Sequence, residues 1–129
     1  MAGEREKALS FFEKYSVRRL LGDHVPYAVE AYPEGNQRHL SAESALYCRV
    51  VTEGLFGLRP TGFSSFEISP QLPEKWNEME MKNIRMLGGK TVDIQIIRNK
   101  TKVDVQVSVD GKLVKTISVV NGTTVAVKV

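Results

Sequence analysis

The chain carries one cysteine, Cys48, in 129 residues. A single thiol excludes an internal disulfide and any metal cluster built on cysteine. No apolar run approaches the ~20 residues that a membrane-crossing helix needs, so no membrane partner is expected. The opening MAGEREKAL is charged from its fourth residue, unlike a secretory signal. A cytoplasmic chain, or a piece of a protein whose signal lies elsewhere, are the two alternatives; localisation stays unassigned, and a longer parent could be periplasmic or secreted. Charge of one sign is also scarce. The formal net charge is only +3, and basic and acidic residues are interspersed, which leaves no nucleic-acid footprint. Aromatics are missing altogether after Trp76. That removes a base-stacking platform from the C-terminal half and weakens a flat sugar-binding one. The two histidines, His24 and His39, lack a metal-binding spacing, so neither metal nor cofactor is expected.

Two halves with different periods are present. Residues 4–21 read as a helix, with Ala8, Phe11, Phe12 and Tyr15 at helical spacing and Glu4 to Lys7 solvating the first turn. Gly22 and Pro26 end it. Ser41 is a suitable N-cap for a second helix reaching about Phe56. Its residues Ala42, Ala45, Leu46, Tyr47, Cys48, Val50, Val51, Leu55 and Phe56 cover most of the circumference. A helix apolar nearly all round is expected to be buried nearly all round, so a partner must cover part of it.

From Phe63 the period becomes two. Val92, Ile94 and Ile96 alternate with polar residues, as do Val103, Val105 and Val107, then Ile117 and Val119, then Val125, Val127 and Val129. Gly88-Gly89, Asn99-Lys100, Asp110-Gly111 and Asn121-Gly122 are hairpin signals, which predicts an antiparallel meander. Further strands are expected at 79–86 and at 66–68. The fold class is α+β: two N-terminal helices followed by an antiparallel β-meander or small β-sandwich. The division is 1–59 helical, 60–76 a proline-containing linker, and 77–129 an antiparallel β-domain. Within the linker, SPQLPEKW (69–76) is extended by its prolines, and Trp76 is expected to anchor the sheet to the helices.

Two stretches resemble a known family. SPQLPEKW followed by MEMKNIRMLGGKTVDIQIIRNKTKVDVQV is similar to the C-terminal passage of six-hairpin glycosidases and their phosphorylase relatives, where a Pro-x-Leu-Pro-x-x-Trp segment leads from the last helix of an α/α toroid into a β-sandwich. Upstream, EAYPEG and LSAESALYCRVVTEGLFGLRP resemble the last catalytic loop and inner helix of that toroid. In trehalase-like and α-glucosidase-like members this loop carries a Glu-x-Tyr motif whose glutamate is the general base. The likeness spans about 23–110 and departs from those members in the extra Pro33-Glu34 and in His39.

The resemblance implies that the chain is the C-terminal part of a carbohydrate-active enzyme, inactive alone. Residues 1–59 would be a remnant of the toroid, and 77–129 its capping β-domain. Glu30 is then the candidate general base, with Glu34 the runner-up; Tyr32, Arg38 and His39 are candidate substrate contacts. Inverting hydrolysis needs two carboxyl groups about 6.5–9.5 Å apart, one protonated and one ionised. Nothing in the loop sequence distinguishes the environments of Glu30 and Glu34, so the acid is expected from another segment. The implied partners are a carbohydrate substrate in the parent enzyme and a missing helical domain, or a second copy of the chain. Solvated loop charge is the alternative reading of both glutamates. A stand-alone carbohydrate-binding or protein-interaction module is the alternative function.

Overall fold

The computed structural model describes residues 4–86 and 88–129, apart from 20–41, with the backbone alone at 18–19 and 42–44. The chain forms two compact units, Met1–Val51 and Thr52–Val129.

In the first unit, α1 spans Arg5–Arg19 and α2 spans Ala42–Arg49. A π-helical turn, Val50–Leu55, continues α2 across the boundary between the units. The expected stripe on α1 is displaced. Ala8 and Phe11 face solvent, while Leu9 is buried and Phe12 and Tyr15 are half-buried. The cause is Tyr47 of α2, whose ring stacks on Phe12 at 4.8 Å and on Tyr15 at 5.9 Å. Phe11 instead lies under the Lys14 ammonium, 5.8 Å from the ring centre. The described residues of the chain do not bury α2, the helix whose apolar surface is expected to need outside cover. Leu46, Cys48 and Val50 are exposed, and only Tyr47 of its described side chains is drawn inward within 45–49.

The second unit carries seven strands: β1 Arg59–Gly62, β2 Ser65–Ile68, β3 Glu78–Arg85, β4 Thr91–Asn99, β5 Lys102–Val109, β6 Lys112–Val119 and β7 Val125–Lys128. They form two antiparallel sheets, β1-β2-β7 and β3-β4-β5-β6, in a small sandwich-like arrangement within an α+β chain. β3 to β6 are the expected meander. β7 leaves it and pairs with β2, Phe66 opposite Val127, so Asn121-Gly122 is a crossover between sheets rather than a hairpin. β1 begins at Arg59, the last residue of the expected helical segment, and runs into the stretch expected to be a linker. All four of its residues are exposed and it includes Pro60, which an edge strand tolerates but which masks the strand pattern.

The core follows the period-two reading. Ile94 pairs with Val107 and Ile96 with Val105. Val92, Ile94, Ile96, Val103, Val105 and Val107 are all at 0% exposure, joined by Ile68 and Leu72 at 0%. Full burial of such a side chain contributes about 1.5–3 kcal/mol, so this shared face dominates the unit's stability. Turn chemistry sets the register. Asp110 and Gly111 both have positive φ, the pair a two-residue type I′ hairpin demands. At the previous turn Asn99 pairs with Lys102, so the corner residues are Lys100 and Thr101, one position later than expected.

The free edges are protected. On β3, Lys82 and Asn83 face the single residue Asp93, whose carboxylate accepts the Asn83 N–H at 2.8 Å and holds this bulge. On β6, Lys115 stands opposite Val107 in the inward row, and its ammonium donates to the Ala126 carbonyl at 3.3 Å. An inward charge and a bulge on an edge strand discourage pairing with another chain.

Candidate functional site

The residues that the sequence marks for chemistry are Glu30, Tyr32, Glu34, Arg38 and His39. All five lie in 20–41, outside the described residues, as does His24. What the structure describes is the frame on either side of that segment. α1 ends before it, α2 begins after it, and the two helices are fastened to each other. Ser16 Oγ donates to the Phe12 carbonyl at 2.7 Å, which uses its one proton. The 2.9 Å bond between the Ser16 and Tyr47 hydroxyls is therefore donated by Tyr47. With the two ring stacks on Tyr47, this bond joins the helices on either side of that segment.

A second frame lies where the helical turn enters the sandwich unit. Phe56 is buried, and Gly57 takes φ +63° against the backbone of Ser69. A Cβ at Gly57 would lie 2.3 Å from the Ser69 carbonyl oxygen, so only glycine fits. The Gln71 N–H donates to the Leu55 carbonyl at 2.7 Å, and the Ser69 N–H to the Gly57 carbonyl at 3.2 Å. The SPQLPEKW segment thus runs alongside the helical exit, with Pro70, Leu72 and Pro73 buried.

Two polar side chains hold this segment from the other side. The Asn121 amide pairs with the Leu72 backbone as a strand would: the Leu72 N–H donates to Oδ1 at 2.9 Å and Nδ2 donates to the Leu72 carbonyl at 2.7 Å. The Arg98 guanidinium donates to the carbonyls of Pro73 and Trp76, and its backbone N–H donates to the Asn77 carbonyl at 2.8 Å. Arg98 continues the row of Val92, Ile94 and Ile96, so the charged group closes the end of the core. Sequence reading assigned Asn121 to turn chemistry and did not single out Arg98 or Ser16. A polar residue that ends an apolar alternation is the signal that could have found Arg98.

The outward face of the four-stranded sheet is polar. Glu80, Gln95, Gln106 and Thr116 form one row across it, and Gln95 Nε2 donates to Glu78 at 3.2 Å. The Lys82–Glu80 pair at 3.1 Å is exposed and contributes little. Among the described residues, no three His, Cys, Asp or Glu side chains gather to hold a metal ion. No described helix is long and apolar enough to cross a membrane. No family model, curated protein or solved structure matches the chain.

Proposed function

We propose that the chain is the C-terminal part of a glycoside hydrolase of the six-hairpin kind, contributing a general-base loop and a capping β-domain, and that it is inactive alone. The observation that supports this reading is the way SPQLPEKW is held within the sandwich unit. Gly57 packs on Ser69, Pro70, Leu72 and Pro73 are buried, and Asn121 and Arg98 clamp the segment from the other side. The resemblance assigns to that segment the passage from the last toroid helix into the β-sandwich. The exposed Phe11, Val17, Leu46 and Val50 further support a missing helical partner.

In this reading Glu30 holds a water on the far face of the sugar ring and takes its proton as the oxygen attacks the anomeric carbon. A carboxylic acid from the missing helical segment protonates the leaving oxygen. Tyr32 orients Glu30, and Arg38 and His39 bind sugar hydroxyls. Glu34 follows Pro33 and precedes Gly35, which suits a turn tip and a lesser role.

The test begins with the coding region immediately upstream of Met1, where several hundred residues of repeated helical pairs are expected. In the assembled enzyme, Glu30→Gln lowers kcat by roughly 10²–10⁴-fold, the usual worth of a general base, and Glu34→Gln costs far less. An unaffected Glu30→Gln variant ends the assignment, and the reverse ranking moves the base to Glu34. Product analysis with and without inorganic phosphate separates hydrolysis from phosphorolysis. A protein-interaction module is the second reading, favoured by the exposed Phe63, Leu113, Val114 and Val120 of the sandwich unit. It predicts no catalytic partner upstream.

A further inference from the structure

Asn121 is followed by glycine, and the chain contains no other Asn-Gly pair; Asn36, Asn77, Asn83 and Asn99 precede Gln37, Glu78, Ile84 and Lys100. A glycine nitrogen is the least shielded backbone nucleophile, because no side chain stands beside it. In the folded chain, however, the Asn121 amide is immobilised. Its oxygen and its nitrogen are both taken by the Leu72 backbone, at 2.9 and 2.7 Å. The next carbonyl, that of Gly122, accepts the Ser69 hydroxyl at 2.9 Å. The Thr123 N–H closes the turn onto the Val120 carbonyl at 2.9 Å. An amide so held cannot swing its carbon toward the Gly122 nitrogen.

We propose that Asn121 is a gated self-modification site, silent while its clamp on Leu72 is closed and irreversibly converted when the clamp opens. On opening, the Gly122 nitrogen attacks Cγ of Asn121 and forms a new N–C bond. The bond from Cγ to the side-chain nitrogen breaks, and that nitrogen departs as ammonia with the proton lost by Gly122. Water then opens the five-membered imide at either carbonyl, leaving aspartate or its β-linked isomer. No electrons are gained or lost, and water is the sole co-reactant. The consequence is structural. A carboxylate has no N–H to offer the Leu72 carbonyl, and the β-linked product lengthens the main chain by one carbon. Either product disables the clamp that holds the PQLP stretch, so each opening risks a permanent loosening of that segment.

The rate in the folded chain equals the open fraction times the rate of an unconstrained peptide, and is expected to be at least about 100-fold below it. The experiment incubates the intact chain and a synthetic 116–128 peptide side by side at mildly alkaline pH, with conversion read by peptide mass mapping. Tryptic cleavage after Lys115 and Lys128 isolates the site. Ser69→Ala removes one flanking bond and should raise conversion roughly fivefold, the worth of one ordinary hydrogen bond. If that variant does not fold, a temperature series on the unaltered chain replaces it, and conversion should rise in parallel with exchange of the Leu72 amide proton. Equal rates in chain and peptide would overturn the gate. An unreactive peptide would overturn the site. Slow conversion that follows neither Ser69→Ala nor Leu72 exchange would remove the clamp as its cause.

Discussion

In the sandwich unit, alternate residues of β4 and β5 are withdrawn from solvent completely, from Val92 to Val107. In the helical unit Phe11, Val17 and Leu46 remain 61%, 62% and 53% exposed, and Leu9 is the buried apolar residue among those described. Both halves are rich in apolar side chains, so composition does not separate them. The difference is in what each can cover. A sheet with one apolar face needs only a second sheet, and β2 and β7 supply it through Phe66, Ile68 and Val127. The described contacts between α1 and α2 centre on Tyr47, through its stacks on Phe12 and Tyr15 and its bond to Ser16, and Phe11, Val17, Leu46 and Val50 stay exposed. The sandwich unit thus has a buried core, whereas the described helices keep an uncovered apolar face, the face that the proposed reading gives to a partner.

Substitutions on the two sides should therefore behave oppositely. Ile94→Ala empties a fully buried site and should cost about 2–5 kcal/mol. Trp76, the single tryptophan and a member of the sandwich unit, reports this as a lower urea midpoint by fluorescence. Gly57→Ala should come next, at roughly 2–4 kcal/mol. It places a Cβ where φ is +63° and where the Ser69 carbonyl stands 2.3 Å away. The same fluorescence titration measures it, and an unchanged midpoint would mean that the helical exit does not pack on Ser69. Leu46→Gln should be smallest, within about 0.5 kcal/mol, since the side chain is already in water and the helix propensities are similar. A loss of 2 kcal/mol or more, by the helical circular-dichroism signal, would mean that Leu46 is covered in the isolated chain. The contrast between the halves would then collapse.

The legibility of the sequence divides along the same line. Strand alternation from 92 to 107 needs no outside information, because period two puts every second residue on one face and the partner strand fixes the register. The Asp110-Gly111 corner was legible for the same local reason. β1 was not, because an exposed edge strand with a proline has neither alternation nor propensity to reveal it. Nor was the face of α1, since Ala8, Leu9, Phe11 and Phe12 allow two stripes and only Tyr47 from a distant segment chooses between them. The candidate site is the extreme case. Glu30, Tyr32, Glu34, Arg38 and His39 are proposed from resemblance and residue chemistry, and their segment lies outside the described residues. Asn121 shows the reverse error: local turn chemistry explained it too easily and hid its bond to Leu72, 49 positions away.

Amide hydrogen exchange followed by mass spectrometry on the intact chain tests the contrast most directly. Amides of β4 and β5, between Thr91 and Val109, should exchange only with unfolding of the whole sandwich unit. Amides of α1 and α2 should exchange through local opening, at least about 100-fold faster, a difference of roughly 2.7 kcal/mol. Helical amides as slow as those of β4 would contradict the account, because they would show that the helices are already covered and await no partner.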